Sequence, residues 1–154
     1  MITVSDQLKE FLVEAKKNTY ASDSPNIVAK PYLESSKQFQ FSNGKYLYQD
    51  IYFGTEKFSG MEIVYDENVP IWTMVYSGGV DYPTDLKEVY SFLKRALRNI
   101  SFDFPARGPR IFREGHLTYE NNYEGSIERF HGEEYILLNE NEIYRLSYYG
   151  GIVN

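Results

Sequence analysis

The sequence contains no cysteine. That excludes a disulfide framework and any cysteine-ligated metal, and it offers nothing in favour of an oxidising compartment. Histidine occurs only at His116 and His131. The run His131-Gly132-Glu133-Glu134 has no established ligand spacing, so no metal is expected. No apolar run approaches the ~20 residues that cross a bilayer. The first residues have neither the basic nor the apolar region of a secretion signal, and Asn99-Ile100-Ser101 is read as a chance sequon. The expected setting is cytoplasmic, without membrane contact. No phosphate-loop Lys-Ser/Thr, dinucleotide fingerprint or calcium loop is present, and no cofactor is expected.

Positive charge is also scarce: 16 Lys and Arg stand against 22 Asp and Glu, a formal net charge of -6. Such a domain is a poor general binder of nucleic acid, whose affinity comes largely from neutralising phosphates. The local exception is Lys94, Arg95, Arg98, Arg107, Arg110 and Arg113. Its helical members avoid the apolar stripe and read as a solvated face.

Tyrosine is abundant, with 15 residues in a chain that is 17% aromatic. An apolar ring with a hydroxyl suits strands that have one wet and one dry side. Much of this aromatic content falls in a stretch that occurs twice, Phe41 to Val80 and Phe112 to Ile152. Aligned, Gly44 pairs with Gly115, Tyr48 with Tyr119, Tyr52 with Tyr123 and Gly54 with Gly125. After a one-residue insertion, Phe58 pairs with Phe130, Glu62 with Glu134, Tyr76 with Tyr148 and Gly79 with Gly151. Repetition of this kind bears directly on architecture.

Each copy reads as a four-stranded antiparallel meander. In the first, strands are expected at Gln38–Phe41, Lys45–Phe53, Phe58–Tyr65 and Ile71–Ser77. Asn43-Gly44 and Asp66-Glu67-Asn68 are the turns, both Asn43 and Gly44 tolerating positive φ. Ser5 is expected to cap a helix with Leu8, Phe11, Leu12 and Ala15 on its apolar face, with Lys16 and Lys17 placed to suit its C-terminal dipole. After the polar loop 21–25 and the connection 81–83, Thr84 is expected to cap a second helix, striped by Leu86, Val89, Tyr90, Leu93, Ala96, Leu97 and Ile100. The expectation is one α+β domain over residues 1–154. It has two pseudo-repeats, about 5–80 and 84–152, each a helix and a meander. Together they form one curved sheet or a barrel with two helices.

Alternation along the strands puts Tyr48, Asp50 and Tyr52 on one face, with Tyr119, Asn121 and Tyr123 matching them. Glu62 and Glu134 lie on that same mainly apolar face, as do Trp72 with Tyr76 and Tyr144 with Tyr148. A carboxylate buried there needs partners, for which Arg107, Arg110 and Lys30 are candidates. Three roles follow. The carboxylates can accept hydrogen bonds from tyrosines and lock the meanders. The face can form a ligand pocket lined by Tyr48, Tyr52, Glu62, Trp72, Tyr76, Arg107, Arg110, Tyr119, Tyr123, Glu134 and Tyr148. Glu62 and Glu134 can serve as acid and base of a hydrolase-type enzyme. The expected function is non-catalytic binding of a small molecule or partner protein at the Tyr/Glu face, with the hydrolase as the alternative. A partner could also meet exposed strand edges or the aromatic stretch Tyr46–Phe53.

The pattern Tyr-x-x-x-Tyr-x-Gly, Phe-x-Gly-x-Glu and Ile-Trp-x-Met-x-Tyr-x-Gly, with Arg107-Gly108-Pro109 between copies and Tyr-Tyr-Gly-Gly at the end, resembles an uncharacterised bacterial family of domains of unknown function. Its members stand alone or follow helix-turn-helix regulator domains. The resemblance spans most of the chain and implies no activity, cofactor or catalytic residue. With no room expected for a helix-turn-helix before Ser5, it implies an indirect regulatory role at most.

Overall fold

Strand alternation and turn chemistry produce eight strands and two helices in a computed structural model that describes residues 3–81 and 84–154. Helix α1 spans Val4–Asn18. Strands β1 (Lys37–Asn43), β2 (Tyr46–Gly54), β3 (Lys57–Asp66) and β4 (Val69–Val80) follow. Helix α2 spans Leu86–Arg98. The chain ends with β5 (Ile111–Glu114), β6 (Leu117–Ser126), β7 (Arg129–Leu138) and β8 (Asn141–Ile152). Of the connection expected at 81–83, Tyr82 and Pro83 lie outside the described residues.

Local chemistry moves several boundaries. Thr3, not Ser5, caps α1: its side chain accepts from the Asp6 amide while Asp6 reaches back to the Thr3 amide. This reciprocal pair satisfies two of the donors that a helix start leaves open. Asp85, not Thr84, caps α2, accepting from the amides of Lys87 and Glu88. The first hairpin turns at Gly44-Lys45, where Gly44 alone has positive φ (59°) and Asn43 remains paired with Tyr46. The turns into β4 and β8 have positive φ at both central residues, Glu67-Asn68 and Asn139-Glu140. This pairing matches the right-handed twist of two-residue hairpins.

All eight strands form one antiparallel sheet, in the order β1-β2-β3-β4-β8-β7-β6-β5. The sheet is open, with β1 and β5 at its edges, so the barrel alternative does not apply. The β1 edge is partly covered by the chain itself: Val28 N–H donates to Gln38 O and Gln40 N–H to Asn26 O. At the centre β4 and β8 pair so that Tyr76 lies opposite Tyr148.

The face carrying Tyr48, Val64, Trp72, Met74, Tyr119, Ile136, Tyr144 and Leu146 is buried together with Leu8, Phe11 and Leu12 of α1 and Val89, Phe92 and Ala96 of α2. Phe11 packs on Phe41 and Tyr46, and Phe92 packs on Phe112. Both helices therefore cover one face of the sheet. The opposite face leaves Phe53, Met61, Val75 and Tyr149 exposed.

Candidate functional site

The carboxylates predicted on the inner face are there, and both are completely buried: Glu62 and Glu134 each have 0% exposure. Glu62 accepts from Lys16 Nζ at 3.0 Å and from the Tyr48 hydroxyl. Lys16 Nζ also donates to the Ala106 carbonyl. Glu134 is held more extensively. Arg107 grips both of its oxygens, Nε to Oε2 at 3.0 Å and a terminal nitrogen to Oε1 at 2.5 Å. The hydroxyls of Tyr119 (2.6 Å) and Tyr144 (2.8 Å) complete the set. A bidentate guanidinium and two phenols use the lone pairs of a buried carboxylate well.

A second tier adjoins these clusters. Tyr76 donates to Asp50 at 2.5 Å, and Tyr148 to Asn121 at 2.6 Å. Asn121 then donates to the Gly108 carbonyl, and the Gly108 amide donates to Tyr119. Gly108 lies so close to Tyr119 that an added Cβ would sit 2.7 Å from its ring, which explains the need for glycine after Arg107.

Charge follows from this enclosure. Burial drives the hydroxyls of Tyr48, Tyr76, Tyr119 and Tyr144 well above the ordinary phenol range, with nearby carboxylates adding to the effect. They therefore remain neutral donors. Burial pulls Lys16 down while Glu62 pulls it up. Burial also works against the Arg107 charge, but Glu134 outweighs it and holds Arg107 well above its usual value. Burial pushes Asp50 up to about 8, and the Glu62 charge adds to this, against the Tyr76 hydrogen bond, Lys16 and Arg107.

Tyr52, Trp72, Tyr123 and Arg110 of the predicted set take other roles. Tyr52 is half-buried between Phe39 and Phe58. Trp72 donates to the Ile127 carbonyl at 2.9 Å and stacks on Phe130. Tyr123 stacks on Phe104 at 3.7 Å, with the exposed Arg110 guanidinium 3.9 Å from its ring. Lys30, a candidate basic partner, is exposed, and Lys16 takes that place. Lys16 had a signal: it continues the i, i+4 series Leu8-Leu12-Lys16 on the buried side of α1. Tyr144, at the position aligned with Trp72, is a further partner. The basic run is dispersed: Arg107 is internal, Arg95 pairs with Glu114, and Arg98 pairs with Asp23. No group of three His, Asp or Glu residues among those described could hold a metal.

Tyr20 joins the two clusters. Its ring lies 5.7 Å from Lys16 Nζ and 5.3 Å from the Arg107 guanidinium carbon. Its hydroxyl is buried and has no hydrogen-bond partner among the described residues. Removing an unpaired buried polar group gives back its desolvation cost. Tyr20→Phe is therefore expected to leave the thermal midpoint unchanged or raise it; a loss above ~1 kcal/mol would show that the hydroxyl is engaged.

Open grooves mark the surface formed by the described residues. One, of about 520 Å³, is lined by residues that include Phe53, Lys57, Ser59, Ser77, Gly79 and Arg145. Another lies along Asn26–Val28 and Gln40–Ser42. Neither includes Glu62 or Glu134 in its lining.

No curated protein and no solved structure matches the chain. Residues 50–153 match a family model described as a domain of unknown function, DUF5680. The match begins at Asp50, so it takes in Glu62, Arg107 and Glu134 but not Lys16 or Tyr48. Covering more than half of the chain, it makes this protein a member of the DUF5680 family.

Proposed function

We propose that the chain is a non-catalytic module that binds a small molecule or a partner protein, and that its Tyr/Glu networks form the frame of that module. The observation that carries this reading is the complete enclosure of Glu62 and Glu134 by Lys16, Arg107 and three tyrosines. Acid/base work at either carboxylate would require a substrate to displace a buried cation, at the cost of leaving that cation unpaired. Binding on the open sheet face requires no such displacement. This shifts the binding role from the Tyr/Glu face, where alternation alone would put it, to the side the helices leave bare.

The same reading takes the two halves as an internal duplication of a helix and a meander. The mirrored strand order and the Tyr76–Tyr148 pairing at its centre support it. A cytoplasmic setting and a bacterial source belong to this reading as well, on the strength of the cysteine-free sequence and the family resemblance.

Glu62→Gln and Glu134→Gln test the frame against the hydrolase. As frame residues they lower the thermal midpoint by several degrees, as expected for a loss of a few kcal/mol in a domain of this size. Unchanged midpoints, with loss of hydrolysis of p-nitrophenyl esters or glycosides that the native protein turns over, would establish the acid/base role instead.

A further inference from the structure

The two ends of the sheet centre are built alike but filled differently. On the outer face, Gly151 of β8 is flanked by Arg129 and Thr73, and the next row holds His131, Tyr149 and Val75. There the His131 and Tyr149 rings stack, 5.8 Å apart and 21° from parallel, in the row next to the glycine. At the other end Gly79 is flanked by Lys57 and Arg145, and the next row holds Ser59, Ser77 and Ser147. Gly79 and Gly151 share the same unusual backbone, with φ of 145° and 153°. Serines thus stand where the stacked rings stand at the opposite end, and the groove of about 520 Å³ is the space they leave.

We infer that this groove is a binding site for a planar aromatic carboxylate, whose ring replaces the missing stacked pair. The inference rests on the binding-module reading above. Four features fit such a ligand. Phe53, 45% exposed, offers an apolar wall. Ser59 and Ser77, whose hydroxyls lie 2.7 Å apart, offer donors on the floor. Arg145 and Lys57 face each other across Gly79, two strand spacings or ~10 Å apart. Arg145 is paired with both oxygens of Glu142 and lies over the Tyr135 ring, whereas Lys57 is paired with Asp81 and also donates to the Val80 carbonyl. Arg145 keeps 48% of its side chain exposed within its pair with Glu142, so a ligand carboxylate can reach the guanidinium from the groove. Asp81 stays on Lys57, which makes Arg145 the principal anion contact.

The test uses the intact protein and three probes followed by amide chemical shifts: 4-hydroxyphenylacetate, cyclohexylacetate (same charge, no flat ring) and tyramine (same ring, opposite charge). The expected result is saturable shifts at Ser59, Ser77 and Ser147 with 4-hydroxyphenylacetate, at least about tenfold tighter than with either control. Arg145→Ala should weaken binding about tenfold. Ser59→His combined with Ser77→Tyr, rebuilding the stacked pair, should abolish it. Equal response to all three probes, binding that survives both changes, or no saturable shift would overturn the assignment. If the filled variant does not fold, Arg145→Ala and the probe comparison decide. Failure here with destabilised Glu62 and Glu134 variants would remove this ligand class and leave the frame reading standing.

Discussion

Replacing Arg107 with methionine lowers the free energy of unfolding by about 3–5 kcal/mol, the range for breaking a buried ion pair from one side. The substitution keeps a long apolar stem against Tyr20 but strands Glu134, which has 0% exposure, without the one cation that pairs with it among the described residues. Tyr119 and Tyr144 still donate to it, yet two neutral phenols do not replace a bidentate guanidinium. The stranded carboxylate then favours its protonated form. The loss should therefore be greater at pH 8 than at pH 5, because at the higher pH the native state must either hold an unpaired charge or bind a proton against the gradient. Adding Glu134→Gln removes the charge and keeps an acceptor for the phenols, so the double variant should be more stable than Arg107→Met alone. Arg95→Met provides the surface comparison. Its pair with Glu114 is 39% and 49% exposed, and its loss should stay below ~1 kcal/mol. Urea unfolding of the four proteins decides the matter. A cost for Arg107→Met as small as that for Arg95→Met would mean that the Glu134 site is wet and that the enclosure argument fails.

The contrast between these two arginines also shows what could be read from the chain alone. Period-two alternation was enough to put Tyr48, Asp50, Glu62, Tyr76, Glu134 and Tyr148 on one face, because strand geometry leaves only two sides. It was also enough to demand partners for the carboxylates. Which partners arrive is a different kind of fact. Lys16 reaches Glu62 across 46 residues and Arg107 reaches Glu134 across 27. These contacts depend on where α1 and the segment before β5 settle on the sheet, and no local pattern encodes that. Lys16 read as a charge complementing the end of α1, when its place in the Leu8-Leu12 series was the stronger signal. Caps shifted for a similar reason: Thr3 and Ser5, like Thr84 and Asp85, are all competent, and neighbouring hydrogen bonds chose between them. Whether the sheet closed depended on β4 pairing with β8 and on β1 meeting its own 26–28 segment instead of β5. The serine row at Ser59 and Ser77 carries no local sequence signal, because its meaning comes from comparison with His131 and Tyr149 in the same register.

Asp50 provides the second large effect. Wild-type stability should fall as pH rises from about 4 to about 8, and Asp50→Asn should remove that contribution. Three acids and two bases are close enough to influence one another: Asp50 and Glu62 on adjacent strands, Lys16 from α1, Arg107 from the segment before β5, and Glu134 on Arg107, with Tyr76 bonded to Asp50 and Tyr20 nearby. Ionised together, three carboxylates face two cations. Asp50 lacks a cation of its own, and burial together with Glu62 pushes it from 3.8 up to about 8. Between these values the native state holds a proton that the unfolded chain has released, so the slope of stability against pH is negative across the window and vanishes above it. Each pH unit within it costs on the order of 1 kcal/mol. Asparagine can replace the protonated acid because Asn121 already serves that role at the aligned position, accepting the Tyr148 hydroxyl as Asp50 accepts that of Tyr76. The variant should match wild type near pH 4 and exceed it at pH 8 by about 2 kcal/mol or more, read from urea midpoints at pH 4, 6 and 8. Parallel pH profiles for the two proteins would show that Asp50 is ionised in the folded state.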